Sequence, residues 1–101
     1  MTRSTIEDVK RRRLAEMSAD ERAEFDETYE TTRLALEVGE QVRDAREAAG
    51  LSQRELAARM GTSQAAVARL EAGGTGATLT TLQKVAAAMD LKVTVELSTA
   101  G

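Results

Sequence analysis

Apolar and small side chains recur along most of this chain at steps of three and four, the spacing of one face of an α-helix, and change to steps of two only near its end. Ile6, Val9, Leu14 and Met17 mark a first helix over residues 5–17, and Phe25, Tyr29, Thr32 and Leu36 a second beginning after Ser18. Gly39 reads as a break or a close contact before a further helix that turns Leu36, Val42 and Ala45 inward and ends at Gly50. Leu56, Ala57 and Met60 then define a short helix over 53–60, closed by Gly61. Val67 and Leu70 define another over 63–72, capped by Thr62. Residues 73–76, Gly-Gly-Thr-Gly, form a loop by composition. Leu79, Leu82, Val85, Ala86 and Met89 form the buried side of a last helix over 79–89. Leu91, Val93, Val95 and Leu97 alternate with Lys92, Thr94 and Glu96, which predicts one β-strand. Three Ser-x-x-Glu patterns, Ser4/Glu7, Ser18/Glu21 and Ser52/Glu55, are capping boxes that open helices.

The fold class expected is therefore all-α: a helical bundle with an N-terminal helical arm (1–33), a central domain (34–90) and one short C-terminal strand with its tail (91–101). Composition agrees, because the chain has 101 residues, 42% of them hydrophobic and only Phe25 and Tyr29 aromatic, so burial has to come from helices packed closely on small side chains. With no Pro and 31% charged residues of mixed sign, long solvated helices are favoured.

The chain has neither His nor Cys, which removes imidazole and thiolate metal ligands, the Cys nucleophile and the commonest general base. No close pair of acids sits in an apolar setting that would raise one of them. No enzyme, metal site or cofactor is expected. No apolar run approaches the roughly 20 residues that span a bilayer, so the expectation is a soluble, cytoplasmic protein away from membranes. The net charge of −3 is unusual for a nucleic-acid binder and requires positive charge to be gathered on one face.

Two short helices joined by a Gly-containing turn and braced by a third are the helix-turn-helix arrangement, whose second helix enters the DNA major groove. Its outward residues here are Ser63, Gln64, Ala65, Ala66 and Arg69, the candidate base contacts. Gln bonds adenine bidentately, Arg bonds guanine, and an Ala methyl rests on a thymine methyl. The helix starts at Ser52 and Thr62 suit phosphate, with Gln53, Arg54, Thr75 and Thr78 beside them. Gln64 and Arg69 also fit a solvated helix face, with Arg69 touching phosphate alone. Arg11-Arg12-Arg13 fits a solvated face better than a binding patch.

The stretches Arg46-Glu-Ala-Ala-Gly-Leu-Ser-Gln-Arg-Glu-Leu-Ala57 and Gln64-Ala-Ala-Val-Ala-Arg-Leu-Glu-Ala-Gly73 resemble the Xre family of phage-repressor-like regulators. The resemblance covers about residues 36–90. It implies a repressor-like helix-turn-helix bundle, a salt bridge between Arg46 and Glu71, a phosphate contact by Gln53 and a base contact by Gln64. The Gly-Gly-Thr-Gly loop departs from the family's usual charged or Asn/Pro-containing sequence. The acidic helical stretch from Ala19 to Tyr29 ahead of that domain looks like a HigA-type antitoxin of a type II toxin–antitoxin pair. That likeness implies a small basic RelE/HigB-like ribonuclease as partner, with Glu21, Phe25 and Tyr29 on the toxin-binding surface. The same residues also fit a solvated face with packing aromatics.

The function expected is a repressor that binds a palindromic double-stranded operator as a homodimer through Leu91, Val93, Val95 and Leu97, and controls its own operon as an antitoxin. A free-standing phage-type regulator and a protein-interaction adaptor that has lost DNA binding are the alternatives.

Overall fold

A computed structural model describes residues 18–74 and 77–99. Among the described residues four helices follow one another: α1 (Ala19–Ala48), α2 (Gln53–Met60), α3 (Gln64–Glu71) and α4 (Leu79–Ala88). The chain divides into two compact units, Met1–Arg33 and Leu34–Gly101. The helix expected over 5–17, with Ser4, Glu7 and Arg11–Arg13, lies outside the described residues.

Within the first unit, α1 opens where the Glu21 backbone N–H donates to Ser18 Oγ at 3.2 Å, and Asp20 and Glu21 in its first turn meet the positive end of the helix dipole. The hydroxyls of Thr28, Thr31 and Thr32 donate to the carbonyls four residues earlier, at 2.9, 2.9 and 3.0 Å. Arg33 is paired with Glu30 at 3.0 Å. These bonds all run within one turn of the helix.

In the second unit the core is Val42 of α1, Leu56 and Ala57 of α2, Val67 and Leu70 of α3, and Val85 of α4, edged by Val38, Met60, Leu82, Ala88 and Met89. Helix α2 packs on both α3 and α4. Leu51, in the link between α1 and α2, is buried as well. Arg59 of α2 donates to the Ala88 carbonyl at 3.2 Å, satisfying one of the acceptors that the end of α4 leaves open.

Every helix stops in the same way. At the end of α2 the Gly61 N–H donates to Ala58 O at 3.2 Å and the Thr62 N–H to Ala57 O at 2.9 Å, with Gly61 left-handed at φ 70°. That pair of bonds is the Schellman motif. Gly50 and Leu51, Gly73 and Gly74, and Asp90 and Leu91 repeat it for α1, α3 and α4. Asp90 is the one non-glycine among the described residues with positive φ, at 55°.

Four expectations need correction. The predicted C-terminal strand is absent: residues 91–99 take no regular secondary structure, and no strand occurs among the described residues. Alternation gives Leu91, Val93, Val95 and Leu97 one apolar face, but a strand is defined by the backbone groups it pairs with, and no second alternating segment exists in the chain to supply them. Of the two readings of Gly39 the break before a further helix fails, since α1 runs straight through it, and the close contact holds. A Cβ built on Gly39 would lie 2.5 Å from Glu71 O and 2.6 Å from Leu70 O, so the glycine marks a close crossing of α1 over the end of α3. Ser63 rather than Thr62 caps α3, its Oγ accepting from the Ala66 N–H at 3.1 Å. Finally, Leu79 at 67% exposure and Leu36 at 52% lie outside the buried core, Leu36 with its side chain against Gly73.

Candidate nucleic-acid interface

Helix α3 is two-faced. Val67, Leu70 and Glu71 are buried, Ala66 and Ala68 half-buried, and Gln64, Ala65 and Arg69 exposed. Its exposed face thus carries a bidentate amide, a methyl and a guanidinium, and its one acid is turned away into the protein. The Ser63 hydroxyl serves as the cap but keeps its own hydrogen to donate. Of the five candidate base contacts, Ser63, Gln64, Ala65 and Arg69 are exposed and Ala66 is half-buried.

The turn ahead of α3 is set by Gly61, whose left-handed backbone closes α2 and redirects the chain within the three residues Gly61, Thr62 and Ser63. The Thr62 backbone N–H is used in that closure, so its hydroxyl is what remains to meet a ligand. Ser52 and Glu55 form a complete capping box at the start of α2: the Glu55 N–H donates to Ser52 Oγ at 3.0 Å and the Ser52 N–H to Glu55 Oε1 at 3.1 Å. Those bonds hold the Glu55 carboxyl below its ordinary range, so it remains ionised. Arg54, one residue into α2, is exposed. Thr78 caps α4, accepting from the Thr81 N–H at 3.1 Å and donating to Thr81 Oγ1 at 3.0 Å. Thr75 lies outside the described residues, as does the side chain of Phe25; Glu21 and Tyr29 are exposed on α1.

Glu71 ties three helices together. Arg46 grips its carboxylate with both nitrogens of one fork, Nε to Oε2 at 2.7 Å and Nη2 to Oε1 at 3.1 Å, while Arg46 Nη1 donates to Leu51 O at 2.8 Å. Gln53 Nε2 donates to the same Oε1 at 3.1 Å. With its side chain 1% exposed, Glu71 is the one buried acid among the described residues. Burial pushes its carboxyl up, but the bonds from Arg46 and Gln53 and the charges of Arg46 and Arg43 outweigh that and hold it below the usual range. The Arg46 guanidinium is raised in turn by its bond to Glu71, against a smaller opposing effect of burial.

Sequence reasoning passed over Arg43. It sits one turn before Arg46 on α1, with Nε 3.7 Å from Glu71 Oε1. The signal available was the three-residue spacing that puts two arginines on one helix face.

A family model described as helix-turn-helix matches residues 42–95, more than half of the chain, and spans α2, the Gly61 turn, α3 and α4. The chain belongs to the helix-turn-helix family. It is accordingly a DNA-binding regulator of the Xre-like kind. No curated protein and no solved structure is significantly similar to it. Among the described residues no group of acids is placed to hold a metal ion, and no helix is long and apolar enough to cross a membrane.

Proposed function

We propose that this helix-turn-helix protein is a sequence-specific transcriptional repressor that reads operator DNA with Gln64, Ala65 and Arg69, assisted by Ser63 and Ala66. The observation that carries this reading is the division of α3 into a buried apolar side and an exposed side bearing an amide, a methyl and a guanidinium. Residues 34–101 hold seven Lys/Arg against eight Asp/Glu, so binding to an anion depends on where the charges sit. The acid of α3 is buried and paired while Arg69 is exposed, which is the placement DNA requires. Ser52, Gln53, Arg54, Thr62, Thr75 and Thr78 supply the backbone contacts that set register. Titration of the protein on a duplex selected from a random pool and on a scrambled duplex tests the reading. Equal affinity for both would refute it.

The protein works as a homodimer on a palindromic site, with the exposed apolar Leu91, Val95 and Leu97 and the half-buried Val93 as the self-association surface. Its finer role is that of an antitoxin in the style of HigA proteins, which neutralises a small basic ribonuclease through Glu21, Phe25 and Tyr29 and represses its own operon. The described side chains from Asp26 to Arg33 are exposed, and the acids among them complement the charge of a basic partner. Because α1 is continuous from Ala19 to Ala48, substitution tests this better than truncation. A Phe25→Ser/Tyr29→Ser protein should bind operator normally while losing co-purification with the product of the adjacent reading frame. Retained co-purification would overturn the assignment of Phe25 and Tyr29, and failure of the wild-type chain to co-purify with that product would return the protein to the class of free-standing regulators.

A further inference from the structure

We infer that Arg43 is a DNA-backbone-contacting residue, held in position by Glu71 beside Gln53. The inference rests on the DNA-binding reading above and adds a residue from α1 to the contact surface. Arg43 Nε and Gln53 Nε2 converge on one atom, Glu71 Oε1, at 3.7 and 3.1 Å, so the two side chains are neighbours although ten residues and a helix end separate them. Arg46 already occupies both oxygens of that carboxylate, and 3.7 Å is too long for a hydrogen bond. Arg43 is therefore oriented by the attraction of the buried charge without spending its donors on it.

Its side chain is 50% exposed, against 12% for Arg46, so the planar fork keeps N–H groups turned to solvent. Glu40 and Glu47 lie within a turn of Arg43 along α1, but Glu47 is drawn to Arg46 at 3.9 Å. The nearest acid on α2, Glu55, is folded back onto the Ser52 N–H. Beside the start of α2 the half-exposed guanidinium stands next to the half-buried Gln53 amide, with the exposed Glu40 one turn back on α1, and the guanidinium fork suits the two non-bridging oxygens of a phosphodiester. Such a contact is blind to sequence and is read in the salt dependence of binding.

The decisive variant is Arg43→Gln, which keeps a donor toward Glu71 and removes the charge. With the full chain, affinity is measured from 50 to 200 mM KCl on the duplex selected from a random pool and on the scrambled duplex. Arg43→Gln should reduce the slope of log K against log[KCl] by about 1 per bound protomer on both, about 2 for the proposed dimer, with Arg43→Lys keeping the wild-type slope. The melting temperature reports the structural role: a small fall is expected for Arg43→Gln, which removes a charge beside the buried Glu71 carboxylate, and none for Arg43→Lys. An unchanged slope in a folded Arg43→Gln protein overturns the assignment of Arg43 alone. Failure of the wild-type chain to bind either duplex overturns the DNA-binding reading and this inference with it.

Discussion

Gly39 of α1 meets the backbone of Glu71 at the end of α3 so closely that a methyl group on it would stand 2.5 Å from the Glu71 carbonyl oxygen. The obstacle is main chain rather than a flexible side chain, so relief requires one helix to move. Glycine within a helix carries an entropic cost, and here the crossing distance offsets it. Gly39→Ala is therefore expected to destabilise the domain by about 1–3 kcal/mol despite the better helix propensity of Ala. Thermal unfolding followed by circular dichroism checks this; a melting temperature equal to or above wild type would show that the crossing is looser.

Arg46 and Glu71 should be strongly coupled. Arg46→Ala strands a buried carboxylate and is expected to cost about 3–5 kcal/mol, whereas the double change Arg46→Met/Glu71→Leu should cost far less than the sum of its single changes. Denaturant melts of the four proteins close the cycle. Additive losses would mean that the two side chains act independently.

The same pair sets an acid limit. The folded carboxyl of Glu71 lies below its unfolded value of about 4.3, so its contribution is complete above that pH and disappears as pH falls through the depressed folded value. Stability of the wild type should fall more steeply below about pH 4.3 than that of Glu71→Gln. Parallel acid limbs in the two unfolding curves would contradict the assignment.

Reading and gripping should separate on mutation. Gln64→Ala and Arg69→Ala are expected to weaken binding to the selected duplex by about 1–3 kcal/mol each with little effect on scrambled DNA, whereas Arg54→Ala should weaken both alike. Gel-shift titrations decide it, and a uniform loss for Gln64→Ala would take that residue out of the reading role.

If the proposed dimer forms through Leu91, Val93, Val95 and Leu97, the full chain should sediment as a dimer and a chain ending at Asp90 as a monomer at the same concentration. An unchanged sedimentation coefficient distribution would move the interface elsewhere.

Much of this fold was legible because it is written locally. Ser52 with Glu55, and Gly50, Gly61 and Gly73, act through bonds to residues a few positions away, and the three- and four-residue spacing of Leu56, Val67, Leu70 and Val85 needs nothing else to find the core. The errors arose where the outcome depends on what a residue meets across space. Gly39 looks the same in sequence whether it interrupts a helix or admits a neighbour. The alternation from Leu91 to Leu97 is indifferent to whether a second strand exists, and Leu79 fits the apolar period but falls in the first turn of α4, where it is 67% exposed. Arg43 was hidden for a related reason: its significance comes from Glu71, 28 residues away.

The residues of α3 that hold the bundle and those that face outward do not overlap: Val67, Leu70 and Glu71 do the first, Gln64, Ala65 and Arg69 the second. Helix α3 is bounded on both sides by stops that draw on neither group's side chains, the Ser63 cap and the Gly73 turn. New outward side chains are thus free to arise one at a time without redrawing the scaffold, and a lineage carrying this domain has the means to change allegiance from one DNA site to another while its thermal stability stands still.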